Sequence, residues 1–516
     1  RATRPDHDDQ EAARTYLRNE IGERYDATLI DAFLTAAPEM VAFFRERTDV
    51  QFINGAALPD FHGRVEGAAS GNRAICAAPF DLRNLGSHVS LLQEPLDLIS
   101  PMGMSVTSAE LGHFFNVLRK PSSFLHVARR VMVHALDLLR HGRSMRVGNG
   151  NALAARLFKS ALDRGVQFLT QSPAISLLKD GQRVCGAIVQ SNDRQTEIRA
   201  SRGVVLATGG FPHDAPRVAA MVPRAENGAH WSAAPRSNVG QGLRLGEGAG
   251  GYVRTDLKAA GGWAPVSLVP KPDGSFAHFP HLGLDRAKPG CIMVDLDGRR
   301  FANEADSYHD VMNALFQRTP DGQVPGAWMI CDRTALRRWG MGRVRPAPIP
   351  FGRWLRNGYL LSGSSIEELA IKLGLDPATL HQTIEKFSDD ARIGVDTLFQ
   401  RGSTAFNRAY GDPEHLPNPC LAGLTTPPYY AVRIVPGSLS TFAGLATDAN
   451  GRVLSRSGEP IPQLYAAGND MSSMAGGNYP AGGFTLGPAM TFGFLIGRHA
   501  ATAQTDPGSR NRSTHP

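Results

Sequence analysis

The C-terminal stretch from Leu464 to Gly497, LYAAGNDMSSMAGGNYPAGGFTLGPAMTFGFLIG, limits the folds open to this chain more than any other part of it. Gln463–Ala467 reads as a buried strand that stops at Gly468–Asn469–Asp470. A loop with Gly476, Gly477, Gly482 and Gly483 follows, and Gly487–Pro488 opens an apolar helical pattern. Small residues let backbone approach a flat or charged ligand closely. Proline suits a first helical turn, whose free N–H groups and positive dipole end attract electron-rich oxygens. Tyr479 stands among these glycines with little core of its own to fill, so its hydroxyl is expected to face whatever the loop surrounds.

With 516 residues the chain is too long for one compact core, so two domains or one domain with an insertion are expected. Its charged fraction of 20% and hydrophobic fraction of 42% are those of an ordinary globular protein. The net charge of +7 comes from scattered residues, densest around Arg337–Arg345, and no nucleic-acid motif accompanies it. Five cysteines, Cys76, Cys185, Cys291, Cys331 and Cys420, lie far apart without CxxC or Cys/His ligand spacing. Neither a disulfide framework nor a metal site is expected, and a reducing, cytoplasmic setting fits best. No apolar run of the sequence is expected to have the length a membrane span requires. Arg1 stands where a methionine would start a chain and the first ten residues are polar, so a trimmed N-terminus, with any signal lost, is expected.

Along the chain, Asp9–Arg47 carries apolar residues at helical spacing, and Ser122–His141 reads as a basic amphipathic helix, expected as a solvated surface in preference to a membrane anchor. Gly150–Arg164 reads as a helix, then Val166–Thr170, Pro173–Lys179, Gln182–Gln190, Gln195–Ala200 and Gly203–Ala207 as strands. The last of these ends in Thr208–Gly209–Gly210, glycines at the carboxyl end of a strand, where open α/β sheets bind ligands. Asn238–Gly242 opens a further glycine-rich helix. From Ser275 to about Leu424 prolines and irregular stretches dominate, apart from a helix at Ser365–Leu373, which suggests an inserted domain covering the cradle. Phe276, His278, Phe279 and His281 either line a hydrophobic pocket or belong to a core. Three glycine-bearing strand ends together point to a large flat cofactor in a doubly wound domain.

ATGGFPHD (Ala207–Asp214), FANEADSY (Phe301–Tyr308), FQRGSTAFNRAYGD (Phe399–Asp412) and the C-terminal motif resemble the FAD-binding family of fumarate reductases and 3-ketosteroid dehydrogenases, in particular its 3-ketosteroid Δ1-dehydrogenase-like branch. The resemblance implies a glutathione-reductase-like, doubly wound α/β flavin domain with an inserted α+β catalytic cap. The expected division is residues 1–274 and 426–504 for the flavin domain, 275–425 for the cap and 505–516 for a disordered tail. Such proteins open with a strand, GxGxxG and a helix; no such unit occurs here, so the chain is expected to begin after that first βαβ unit. A fragment of this kind puts its own FAD affinity in question.

For the site, the resemblance implies that Ala207, Thr208, Gly209 and Gly210 pass near FAD. It gives Gly468, Asn469 and Asp470 to the ribityl–phosphate portion, with a plain helix cap as the competing role of Asp470. Thr485, Leu486 and Gly487 meet the ring, where N–H groups at the helix opening raise its electron affinity. Tyr479 and the N–H of Gly483 match the family's carbonyl-binding pair, and Tyr308 its base, in a reaction that removes an α-proton and transfers hydride to flavin N5. A tyrosine needs a nearby cation or relay to serve as base, with Arg299, Arg300 and His309 as candidates by proximity. A third tyrosine of the steroid enzymes has Phe61 as its nearest counterpart. The His-Gly-x-Asn-Arg motif of the fumarate enzymes is replaced by Gly477–Asn478–Tyr479–Pro480, which disfavours a dicarboxylate. The expected substrate is a small hydrophobic, steroid-like ketone that gains a C=C bond beside its carbonyl, with an unidentified electron acceptor, no nucleic acid partner and no integral membrane segment. An enone reductase and a non-catalytic scaffold are the alternatives.

Overall fold

The computed structural model describes residues 9–96, 100, 103–192, 194–225 and 228–502. The tail expected at 505–516 lies outside them. Asp9–Arg47 forms two helices, Gln10–Ile21 and Ala27–Arg47, capped by the carboxylates of Asp9 and Asp26. Ala27–Arg47 is the one described helix that by length and composition could cross a membrane. In the fold it buries Leu29, Ile30, Ala36 and Met40 and packs along the C-terminal helix Leu486–Thr502.

Ala174–Asp180, Arg183–Ser191 and Arg194–Arg199 make an antiparallel three-stranded sheet. Val166–Thr170, expected as a strand, is not one. Val166, Phe168 and Leu169 are exposed and find no sheet partner, and the chain turns through Gln171 at a φ of 53°.

Val204–Leu206 pairs in parallel with Pro460–Ala466, Leu464 opposite Val204 and Ala466 opposite Leu206, and Arg452–Leu454 lies on the far side. This pair brings Thr208–Gly210 and Gly468–Asp470 to one end of the sheet. Among the described residues it is the one parallel pair of strands. Val204–Leu206 is the edge strand, and Val205 is 46% exposed, so its expected full burial does not hold.

The largest sheet is antiparallel and six-stranded. Its order is Phe276–Pro280, Gly261–Pro270, Tyr429–Thr441, Ala327–Asp332 and Cys291–Asp295, with Leu361–Gly363 also paired to Tyr429–Thr441. The near-continuous apolar run YYAVRIV is buried because this strand is central. Gly261–Pro270 and Tyr429–Thr441 fall outside the 275–425 span, so those bounds divide a single sheet. The helix Tyr308–Arg318 packs on Gly261–Pro270. Behind it Arg300, Glu304, Asp396 and Arg401 form a buried ionic knot, with Arg300 paired to both carboxylates at 2.7 and 2.8 Å.

The helix Pro121–His141 forms as its periodicity predicts, but the expected solvated polar face is reversed. Its buried residues are Ser123, Arg130, His134 and Asp137, and its exposed ones are largely apolar.

Candidate active site

The ends of the two parallel strands are held together by one carboxylate. Asp470, fully buried, accepts hydrogen bonds from the backbone N–H and hydroxyl of Thr208 and from the N–H of Gly210. The Thr208 hydroxyl in turn accepts from the N–H of Gly242 at 2.9 Å. Asp470 therefore neither caps a helix nor keeps its carboxylate open to a ligand. It fixes the glycine turns relative to one another. The glycines fit by necessity: a Cβ at Gly210, whose φ is 78°, would lie 2.0 Å from Thr441 Oγ1, and one at Gly242 2.1 Å from Asp470 Oδ2. Gly209 meets the Asn238 side chain in the same way, and Asn469 lies against Gly210. Ala207 and Thr208 are exposed at the strand end.

A cavity opens between this turn and the start of the C-terminal helix. Gly468, Asn469, Thr485, Pro488 and Ala489 line it, together with Thr441, Phe442 and Ser472. The hydroxyls of Thr441 and Ser472 are buried there without a hydrogen-bond partner among the described residues. Buried polar atoms are rarely left so, and two of them on one cavity mark a place built for a polar ligand. The helix starts at Leu486. The N–H groups of Gly487 and Ala489 donate to the carbonyls of Gly483 and Thr485, and Pro488 has none. The donors left for a ligand at this terminus are thus those of Thr485 and Leu486, not those beyond Gly487. Gly483, at a φ of 81°, has nothing within 4 Å of a would-be Cβ and borders open space.

Tyr308 and Tyr479 meet beside this cavity. Tyr308 begins its helix, positioned by Ser307 as N-cap, whose hydroxyl accepts the Asp310 N–H at 3.2 Å. Tyr479 lies on the loop between the glycine turn and the last helix. The rings are 5.3 Å apart at 83°. Around them stand Phe61, Phe406 and Phe442, with Phe61 at 5.7 Å from Tyr308 and 5.5 Å from Tyr479. Tyr479, expected to have little core to fill, is 5% exposed and sits in an aromatic core of its own. The loop is held there because Tyr16 donates its hydroxyl, and Phe61 its N–H, to the Pro480 carbonyl at 2.6 and 3.0 Å.

Burial holds both phenols above their ordinary range. The interaction between the two hydroxyls raises Tyr308 further and opposes the rise at Tyr479. Thr485 also hydrogen-bonds Tyr479 and lowers it. The cations expected near Tyr308 are elsewhere. Arg300 is held by Glu304 and Asp396, and Arg299 is exposed. Burial pushes His309 down to about 4, so its neutral ring accepts the Trp263 N–H at 3.2 Å. The cation that does act on Tyr308 is Arg286, fully buried and donating to the carbonyls of His281, Glu304 and Asp306. It also acts on Tyr410, whose ring lies 5.2 Å from Phe406. No short-range pattern announced Arg286. Its partners are backbone carbonyls, which leave no mark on composition or spacing.

Phe276, His278 and Phe279 belong to a sheet strand and His281 directly follows it. His278 pairs with the Ser232 carbonyl, and His281 with Asp285 and Ser267. All five cysteines are free thiols.

A family model described as an FAD binding domain matches residues 2–486. The chain belongs to this family. FAD is its cofactor, and the unpartnered hydroxyls, open glycines and free N–H groups around the cavity suit that group. A 4-oxocyclohex-2-ene-1-carboxylate 5-dehydrogenase of Sinomonas cyclohexanicum is 36% identical over 509 residues, covering 96% of this chain and 84% of the relative. A 3-oxosteroid 1-dehydrogenase of Mycobacterium tuberculosis is 33% identical over 506 residues, covering 96% and 87%. Among solved structures, a 3-ketosteroid Δ1-dehydrogenase of Sterolibacterium denitrificans, in complex with 1,4-androstadiene-3,17-dione, superposes with a TM-score of 0.89. It is 33% identical, and the match covers 97% of this chain and 90% of that one. The flavocytochrome c3 fumarate reductase is 20% identical with a TM-score of 0.58, a likeness of fold alone. Family membership makes the chain an FAD-dependent oxidoreductase of the kind that acts on CH–CH bonds.

Proposed function

We propose that this chain dehydrogenates a cyclic ketone, forming a C=C bond between the carbons α and β to its carbonyl. The observation that carries the reading is the hydroxyl pair of Tyr308 and Tyr479 beside the open backbone of Gly483 and the cavity that suits FAD. Tyr479 and the Gly483 N–H bind the carbonyl oxygen, and both strengthen as negative charge grows there. Tyr308 takes the α-proton at its phenol oxygen, with Arg286 offsetting the charge this leaves. FAD, when bound, supplies the two-electron oxidant that accepts the hydride from the β-carbon. Thr485 and Leu486 offer N–H groups to its ring, and Gly468 and Asn469 the turn beside it. Asp470, Thr208 and Gly210 hold that turn in shape.

The walls around the two phenols are aromatic and aliphatic: Phe61, Phe406, Phe442 and Leu439. Such a lining supports an apolar ring system, steroid-like in character, over a dicarboxylate. The relatives named for oxocyclohexane carboxylates favour a single-ring ketone as the second candidate. Free thiols at all five cysteines support a cytoplasmic setting.

The test is turnover of the flavin-loaded chain with an artificial electron acceptor, supplied separately with a 3-ketosteroid and with 4-oxocyclohexanecarboxylate. The expected product is the α,β-unsaturated ketone of one of them. Acceptor reduction by neither, with FAD bound stoichiometrically, overturns the reading.

A further inference from the structure

The helix Pro121–His141 is built inside out. Its inward face carries Ser123, Arg130, His134 and Asp137, all buried. Each kind of polar contact there is structural: Arg130 donates to the Ser105 carbonyl and pairs with Glu110 at 2.9 Å. Asp137 pairs with Arg83 and accepts the Met145 N–H. Its outward face carries Phe124, Leu125, Val131, Met132, Leu136 and Leu139, with Leu125 72% and Leu139 84% exposed. At 100° per residue these side chains, with Ala128 and Ala135, fill one continuous arc along a rod of about 30 Å. No side chain of this helix joins any of the hydrophobic clusters among the described residues.

A water-facing helix turns its apolar arc inward; this one does the reverse. The polar anchors fix its orientation, so rotation cannot hide the arc. An exposed apolar stripe of this length signals an apolar partner. The charge pattern says which. Exposed Arg129 and Arg140 border the same edge of the stripe, and the helix's single acidic residue, Asp137, faces inward. Apolar side chains flanked by arginines, with no exposed carboxylate, match a helix lying in the headgroup region of an anionic bilayer. The same helix face of a second copy would bring the same arginines and no carboxylate of its own to meet them.

We infer that the outward face of Pro121–His141 docks this enzyme on the surface of an anionic phospholipid membrane, the helix lying in the plane of the interface. Leu125, Met132 and Leu139 enter the acyl boundary, and Arg129 and Arg140 reach headgroup phosphates.

The experiment is co-sedimentation of the flavin-loaded full chain with vesicles of phosphatidylcholine alone and with added phosphatidylglycerol. Binding to the anionic vesicles is expected, weakened by salt. Leu125→Glu, Met132→Glu and Leu139→Glu together should lower the partition coefficient roughly tenfold or more. Arg129→Gln with Arg140→Gln should lower it by roughly fivefold per cation on anionic vesicles only. A fluorophore at Leu139→Cys gives a readout independent of the triple variant: a blue shift on adding anionic vesicles is expected. Absence of binding by the parent chain, equal binding by the triple variant, or no spectral shift overturns the inference. So does a parent dimer that the triple variant converts to monomer without any vesicle binding.

Discussion

The rings of Tyr308 and Tyr479 stand 5.3 Å apart at 83°, joining the first residue of a helix on the large antiparallel sheet to the loop before the last helix. A ketone oxygen bound by Tyr479 draws on the same hydroxyl that here interacts with Tyr308 and Thr485. Tyr479→Phe removes that donor without changing the ring packing against Phe61 and Phe442. Turnover should fall roughly 100-fold or more, as when one donor to a developing oxyanion is lost. The visible spectrum and FAD stoichiometry should be unchanged. Comparison of kcat and of flavin content in the parent and the variant checks both halves.

Tyr308 acts as base only when deprotonated, and burial with two neighbouring phenols holds it well above the ordinary tyrosine range. The rate should therefore climb with pH across the neutral and alkaline range, with no plateau at neutrality. Arg286→Lys, which alters the cation that lowers Tyr308, should move that rise to still higher pH. Tyr308→Phe should lose roughly 100- to 10,000-fold in rate and flatten the profile. A pH–rate series on the three proteins measures this.

Two glycine substitutions separate shape from chemistry. Gly210→Ala sets a methyl 2.0 Å from Thr441 Oγ1 at a φ of 78°. Overpacking of this kind destabilises by about 1–3 kcal/mol, and the strained φ adds to it. Because Gly210 also donates to Asp470, FAD binding should weaken with it. Gly483→Ala has a similar φ of 81° but meets nothing within 4 Å. It should fold, bind FAD and lose turnover through the methyl group intruding on the carbonyl site. Thermal melting, FAD titration and steady-state kinetics on both variants distinguish the two.

What the sequence made legible was local. The glycine turns, Tyr479 and the start of the last helix could be read because each signal lies within a few residues of its neighbours. The bonds that turn these pieces into a site are between distant segments. Asp470 looked like a ligand or a cap, and only the parallel pairing of Leu464 with Val204 brings it to Thr208. Arg299 and Arg300 were candidates by proximity to Tyr308, whereas Arg286 reaches it through folding of the segment after the Phe276–Pro280 strand. Pro121–His141 declared its period but not its orientation. A helical wheel cannot tell which arc faces the protein when polar anchors such as Arg130 and Asp137 decide it. The burial of Val204–Leu206 was misread for a related reason: apolar composition marks it as a strand but cannot say that it stands at an edge.

His62 lies one residue from Phe61, which packs on both phenols, and it pairs with Glu20 at 2.9 Å and with Asp310 at 2.5 Å. Burial alone would lower its pKa. The hydrogen bonds and charges of the two carboxylates outweigh that and lift it to about 10. Its folded-state pKa thus exceeds the unfolded value near 6.5, so the protonated form stabilises the fold. That contribution is complete below about pH 6.5 and is lost as the pH rises through about 10. The opposite limb belongs to Asp310, held below the ordinary carboxylate range by His62 despite its burial, and is lost as the pH falls through that range. Asp310 is 38% exposed, so screening reduces the pair below a fully buried one, to about 1–3 kcal/mol. His62→Gln removes the cation and leaves Glu20 and Asp310 facing each other across a neutral amide. Its Tm should lie below the parent's at pH 6, and the gap should narrow toward pH 10. A series of melting curves from pH 5 to 10 on the two flavin-loaded proteins tests this, and a gap that stays constant across the series refutes it.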